Sequence, residues 1–475
     1  MPGRSSARRP PTRLKPVIAC VAIYVHLSAG FCAASGPITL EFWDFPHLPR
    51  TNDYLTSAMA RFQAEHPGVR IRYTKLPWQD GQQKLTLSVL SGSPPDVCGQ
   101  VSTGLPGFIA QDVLEPLESY LQNDISDFHP AYLKAVSHKG HVYAVPWYKA
   151  CYVMLLNLDL FKKFGVAPPK DGRWNWDEFL VKMKALTRTS AGDRATTSAE
   201  PNFYGLVTNL GPMEYEAYSI IFNFGGRILQ QRPEGIIQST VAEAPFIEGL
   251  RRLQSLEFEH RVAAPGIGAA TQEQSWSLWR DSRTCACTIQ GAWCVTAVER
   301  ANDAIEATNR RKVAAGRTGE LEKPIRWMIA APPQKDSMTT PVLASSGLGT
   351  YVVFRQKDPE RRRLAAEFAL YLVSGEGQRV LKYENVYPSR ISAGDPFADD
   401  PRLSAVFSLF PDGVMSPLVP GGERIDRVLQ QEVQKAVLVN PGTGNPQATV
   451  EQAAKAADTK IRAVLERAKR RFGNL

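Results

Sequence analysis

The chain has 475 residues, 43% of them hydrophobic and 22% charged. That is the composition of an ordinary soluble protein, and the length is too great for a single core, so two or more lobes are expected. The formal charge of +9 overstates the basic character: Arg4, Arg8, Arg9, Arg13 and Lys15 stand in the first 34 residues without an acid, and without them 51 basic residues face 47 acidic ones, a net charge of +4. The clusters Arg310-Arg311-Lys312, Arg361-Arg362-Arg363 and Lys469-Arg470-Arg471 lie far apart with no aromatics of the kind that stack bases, which argues against a nucleic-acid partner.

The basic start is followed by an apolar run from Val17 to Ala34 and by small residues at Ala33-Ala34-Ser35. This order of basic region, apolar core and small residues is a secretory signal over residues 1–34, cut near Ala34 or Ser35, and it predicts a periplasmic or extracytoplasmic protein. An uncleaved anchor is the alternative, since the run is just long enough to span a bilayer. Cys32 is a poor lipid acceptor because the large Phe31 precedes it. Five cysteines remain in the mature part, Cys98, Cys151, Cys285, Cys287 and Cys294. An odd number leaves at least one thiol without an internal partner. Cys285 and Cys287 sit two apart in a strand-like run and point the same way, a poor geometry for bonding each other. No metal site and no cofactor motif is visible around them, and buried structural thiols are expected.

In chain order, Ile38 to Trp43 alternates as a strand and stops at Asp44-Phe45-Pro46. Leu55, Ala58, Met59 and Phe62 have helical spacing, closed by Pro67-Gly68. Val69 to Leu76 is a second strand ending at Pro77-Trp78. A helix carrying Leu85, Val89 and Leu90 leads to a third strand, Asp96 to Val101. This βαβαβ order predicts a doubly wound parallel sheet whose ligand crevice lies beyond the carboxyl ends of the strands. Those ends are Trp43-Asp44, Pro77-Trp78 and Ser102-Thr103-Gly104.

Further along, Pro146 interrupts two aromatic and β-branched runs, so a turn is expected there, with Trp147 and Tyr148 in an irregular segment. Asn157 opens a short helix, and Asn175 caps the next with Glu178 three residues on. Strands are expected near Tyr204–Leu206, before Gly291, at Ile325–Ala330 and at Thr350–Phe354, with Ser345-Ser346-Gly347 ahead of the last. Helices are expected from Glu214 to Phe224, from Ala242 to Phe258 and from Pro359 to Ser374, and two more finish the chain at Glu423–Val439 and Gln447–Arg471. Asn309 to Pro324 has the polarity of an inserted loop.

Several of these pieces resemble the extracellular solute-binding proteins of ABC importers, in particular the large sugar-binding family. The pieces are Gly140-His141-Val142-Tyr143-Ala144-Val145-Pro146, Asn157-Leu158-Asp159-Leu160-Phe161, Gly165 to Pro169 and Trp176-Asp177-Glu178-Phe179. To these are added Gly291-Ala292-Trp293 and the run with Ser374, Glu376 and Gln378. The chain departs at Leu156, Leu158 and Asn175, where Tyr, Lys and Thr are commoner. The resemblance implies an α/β, two-lobed periplasmic-binding-protein fold of type II, each lobe a doubly wound sheet flanked by helices. It places hinge crossings near Pro146–Tyr152, near Ala330–Pro333 and after Arg390. The first lobe is then residues 37–148 with 333–392, and the second 149–332 with 393–475.

Chemistry and binding can be weighed from the residues. There is no Gly-x-Ser-x-Gly elbow, phosphate loop or His-Glu-x-x-His, and His138 with His141 is only a pair at a turn. Sugar rings need flat apolar platforms beside a few polar groups, and Trp43, Trp78, Trp147, Tyr148 and Trp293 all fall at strand ends or in loops leading from them. The expected function is a non-catalytic receptor that binds a sugar or oligosaccharide between its lobes and delivers it to a membrane permease, working as a monomer. Trp293 matches a position where the family places an aromatic platform, and Trp147 is expected to face the cleft. Asp44, Ser102, Thr103, Glu214 and Gly347 are candidate polar contacts. Arg390 and Arg424 keep open an anionic or phosphorylated solute such as a glycerol phosphate, and a secreted carbohydrate-active enzyme is the other alternative.

Overall fold

The computed structural model describes residues 37–473 apart from 79, 194–200, 211–214, 234, 267, 416–417 and 442–448. The expected leader and Glu214 therefore lie outside the described residues. Strand β1 (Ile38–Asp44) turns Leu40 and Phe42 into the core. Helix α1 (Pro49–Glu65) starts with a proline at its first position, where the ring's fixed φ is helical, and buries Leu55, Ala58 and Phe62 on one face. Strand β2 (Val69–Lys75), α2 (Gly81–Leu90) and β3 (Val97–Val101) follow. The strands β1–β2 and β1–β3 are parallel pairs, in register at Ile38 with Val69 and at Phe42 with Val97. This is the βαβαβ unit expected from the alternation.

After α3 (Leu105–Ala110) and a hairpin of Ser137–His138 with His141–Val142 comes β4 (Val145–Asn157). The expectation of a turn at Pro146 was wrong. The strand runs unbroken through Pro146, Trp147 and Tyr148, because its pairing with β8 (Ser345–Val353) shifts between Gly349 and Thr350. A bulge there needs no N–H from the proline, which is the one place a strand interior tolerates it. The carbonyl of Pro146 accepts instead from Ser389 Oγ at 2.7 Å.

Between them lie α4 (Trp176–Leu186, capped by the Asn175 side chain), β5 (Tyr204–Val207), β6 (Cys285–Gly291), α5 (Cys294–Ala314) and β7 (Trp327–Ala330). Helix α5 corrects the start of the expected inserted loop: Arg310, Arg311 and Lys312 are good helix formers and extend the helix to Ala314, leaving residues 315–324 as the loop. Helices α6 (Pro359–Leu372), α7 (Gly422–Val437) and α8 (Val450–Phe472) finish the chain. The main sheet has the order β2-β1-β3-β8-β4-β6-β5 within nine strands, with β7 also paired to β4.

One set of buried apolar residues is drawn from Leu40 to Ala150 and from Leu348 to Val386. Two others are drawn from Cys151 to Ala344 and from Phe397 to Leu465. Strand β4 is common to both regions. Cys98, Cys151, Cys285 and Cys287 are buried free thiols and Cys294 is half-buried; burial alone pushes the Cys285 thiol up to about 12 despite a hydrogen bond with Thr284. Among the described residues no helix is long and apolar enough to cross a membrane, and no cluster of three His, Cys, Asp or Glu is placed to hold a metal.

Candidate functional site

A narrow cleft opens beyond the ends of β3 and at the start of β8. Thr103 lines it from the turn that follows β3, and Ser345, Ser346 and Gly347 from the first residues of β8. The opposite wall is Tyr215, Phe222, Met415 and the first turn of α7, with Ile425 and Asp426. Its cavity volume is about 40 Å³, room for a few waters and far below the several hundred Å³ of a site for a small molecule. A sugar ring enters only if the walls separate.

The polar centre of this cleft is Asp426. Its Oδ2 accepts from the Tyr215 hydroxyl at 2.6 Å. Burial pushes the Asp426 carboxyl up to about 6, the Tyr215 hydrogen bond opposes that, and Glu423 adds to the rise. Burial, followed by the nearby Asp426 charge, also drives the Tyr215 hydroxyl well above its ordinary range. An ionised carboxylate is the stronger acceptor for a ligand hydroxyl. Because its folded value lies above the unfolded 3.8, the ionised form weakens the fold. That penalty is absent below pH 3.8, grows as pH rises, and is complete above about 6. It amounts to no more than about 3 kcal/mol. Asp426→Asn is therefore expected to flatten the loss of unfolding free energy between pH 4 and pH 7, as read by urea denaturation of ligand-free protein; an unchanged slope would contradict the buried position.

Gly347 has φ +117°, where a Cβ would be strained, and that Cβ would stand 2.8 Å from Ser102 Oγ. Ser102 itself is buried, and its Oγ accepts from Leu348 N at 3.0 Å. It pins β3 to β8 and does not face the cleft. Of the candidates named from sequence, Thr103 and Gly347 line the cleft. Trp293 lies nearby, half-buried and packed against both core regions. Its ring meets Tyr152 edge-on at 5.6 Å, and Tyr152 in turn packs against Tyr215 at 6.4 Å. The Gly-x-Trp spacing has a steric cause: a Cβ on Gly291 would stand 2.1 Å from the Trp293 indole.

A second group gathers at the other strand ends. Asp44, Trp78, Trp147 and Tyr148 surround a crevice of about 10 Å³, which holds at most one water. Asp44 is buried and accepts from Phe45 N at 2.9 Å, His47 Nε2 at 3.3 Å and Tyr351 Oη at 3.4 Å. Burial pulls the His47 imidazole down, but Asp44 beside it outweighs that and holds it above its ordinary value. Trp147 does not face the cleft as expected; it is 1% exposed, and Nε1 donates to the Gly377 carbonyl at 2.9 Å. Tyr148 is half-buried over Gly349, where a Cβ would stand 2.3 Å from its ring. Trp78 is 55% exposed and stacks on Phe45 at 4.5 Å, and Trp43 is half-buried against the first core.

The two arginines proposed for an anionic solute are separated from each other. Arg390 is buried and bonded to Asp124 Oδ2 at 2.8 Å, Asp127 Oδ2 at 3.3 Å and the Val373 carbonyl at 2.8 Å, so its charge is already matched. Arg424 is exposed on the first turn of α7, beside the cleft. Tyr215, Ser345, Ser346 and Asp426 were not singled out from sequence. The nearest signal was in α7, where Asp426 directly follows the buried Ile425 on a strongly amphipathic helix.

Comparison with known proteins bears on the fold and the family. A Brucella abortus protein described as a candidate binding protein is 22% identical over 419 residues, covering 87% of this chain and 91% of its own length. The diacetylchitobiose-binding protein of Streptomyces coelicolor is 22% identical over 356 residues, covering 74% of this chain and 73% of its own. The ABC substrate-binding protein of Listeria monocytogenes, solved in complex with cycloalternan, superposes with a TM-score of 0.69 at 18% identity over 90% of this chain and 99% of that one. Its likeness fixes the fold as a two-lobed binding-protein fold. The model of the bacterial extracellular solute-binding proteins matches residues 57–405, and this chain belongs to that family.

Proposed function

We propose that the protein is the non-catalytic receptor of an ABC importer and that it closes its two lobes on a saccharide held between Thr103 and Ser345–Gly347 on one side and Tyr215 and Asp426 on the other. The observation that carries this reading is the cleft itself: a half-buried carboxylate and small polar groups set among aromatic and aliphatic walls, in a space that must open to admit a ring. The saccharides named for the Streptomyces and Listeria relatives support the ligand class. The leader proposed for residues 1–34 exports the chain, and mass spectrometry of the mature N-terminus tests that.

The lobes are proposed to divide at Ala150–Cys151, at Ala344–Leu348 and between Val386 and Phe397. A second division later than residue 333 is favoured by Leu343, which is buried among second-lobe residues.

Thermal unfolding with a panel of neutral oligosaccharides tests the function. A ligand at about 100 times its dissociation constant adds roughly 2.7 kcal/mol, and chromatography of the same mixtures should find the sugars intact; released product would turn the reading towards an enzyme. Truncating a central aromatic typically costs 2 kcal/mol or more, so Trp293→Ala is expected to weaken the best ligand by about thirtyfold with the fold retained. Calorimetry giving an affinity within twofold of the parent would remove Trp293 from the site.

A further inference from the structure

A second, larger chamber adjoins the cleft. Its volume is about 420 Å³, within the range of small-molecule sites. The two spaces share Leu418, and the first lobe continues from Thr103 in one to Leu105 in the other. The floor is the apolar side of α3, with Leu105 and Ile109. From the same lobe the tip of the His138–His141 hairpin brings Lys139, and Tyr143 stands beside it; from the second lobe the last turn of α8 brings Arg471 and Phe472.

The charges here are one-sided. Lys139 and Arg471 line the chamber, the His138 imidazole beside them is held below its ordinary value by burial and by Lys139, and no described carboxylate lines it. The nearest acids that Tyr143 senses are Asp112 and Glu118, and both are engaged: Asp112 with Arg355 at 2.8 Å and Glu118 with His141 at 2.5 Å. The C-terminal end of α8 gives Lys469, Arg470 and Arg471 a role as partners of the helix dipole. It gives none to Lys139, which comes from the other lobe on a turn with positive φ at both Lys139 (49°) and Gly140 (86°). Such a two-residue turn fixes the direction of the hairpin tip. An anion placed between cations from the two lobes gains from both. Tyr143 and Phe472 supply flat apolar faces for a ring, and the Arg471 guanidinium lies over the Phe472 ring at 5.0 Å.

We propose that this chamber takes an acidic sugar unit, a uronate, whose carboxylate lies between Lys139 and Arg471 while the rest of the saccharide runs on into the central cleft. The inference rests on the saccharide reading of that cleft, which it deepens. The ligand then carries its own charge across the lobe boundary and favours the closed form.

The test is calorimetry on the full mature chain with trimers of galacturonate, mannuronate and guluronate, each beside its methyl ester as the neutral isostere. At least one acid is expected to bind about tenfold or more tighter than its ester, since hydrogen bonds to charged groups exceed neutral ones by that order. The Lys139→Ala/Arg471→Ala double variant should bring acid and ester to within about twofold of each other. Both residues are exposed, and circular dichroism verifies the fold. Equal binding of every acid and its ester, or a preference that survives in the double variant, overturns the proposal. Binding of neutral oligosaccharides without any uronate overturns it and leaves the saccharide reading standing; no binding of any saccharide overturns both.

Discussion

Trp147→Ala is expected to destabilise the first lobe by about 3–5 kcal/mol, the range for truncating a large aromatic in a packed core. The indole touches His47 edge-on at 5.2 Å, Tyr148 at 5.3 Å and Tyr351 at 5.1 Å. Its removal leaves a cavity among three rings and also leaves the Gly377 carbonyl without the indole donor, so a transfer cost and a hydrogen-bond cost arise together. Urea unfolding followed by circular dichroism should show the loss, and Trp147→Phe, which keeps part of the volume but not the donor, should fall between. A variant that unfolds like the parent but binds ligand poorly would return Trp147 to the site and contradict its burial.

Asp96→Ala is expected to cost about 1–3 kcal/mol, because it removes a buried acceptor from two partners at once. Asp96 is fully buried, accepts from Arg361 Nε and Nη2 at 2.7 Å each, and also accepts from Glu41 N at 2.7 Å. The arginine is partly exposed and returns to water at little cost, whereas the Glu41 N–H loses its partner in the core. The double change Asp96→Ala with Arg361→Ala is therefore expected to cost less than the two single changes added together. Strict additivity in a denaturation cycle would show that the pair does not act as one.

Local pattern made the first three strands legible, since alternation and the Pro-Gly stops fix their ends within a residue: Ile38–Asp44, Val69–Lys75 and Val97–Val101. Asn175 was legible as a cap for the same reason, its side chain accepting from Glu178 N at 2.8 Å. What escaped depends on partners distant in sequence. Pro146 reads as a break until the bulge at Gly349–Thr350 is known. Arg390 reads as a ligand for an anion until Asp124 and Asp127 are placed against it. Asp426 meets its hydrogen-bond partner only in Tyr215, which lies 211 positions earlier. The cleft was legible only in part: the strand ends pointed to Thr103, and steric need explains Gly347 and Gly291, but the second wall comes from helices whose packing no local spacing reports.

The position of β8 bears on how the chain reaches this structure. It lies between β3 and β4 and is paired to both, yet it is made long after them; Thr350 Oγ1 donates to the Gln100 carbonyl across 250 positions. While the chain lengthens, the first lobe holds β3 and the start of β4 as two open edges that cannot reach each other across the missing strand. Meanwhile the end of β4 can already pair with β6 and β7, so the second lobe gains a continuous sheet first. Such long-range closure is slow and leaves strand edges exposed to other chains. The late arrival of residues 345–353 then sets the interval over which those strand edges stay open to other chains.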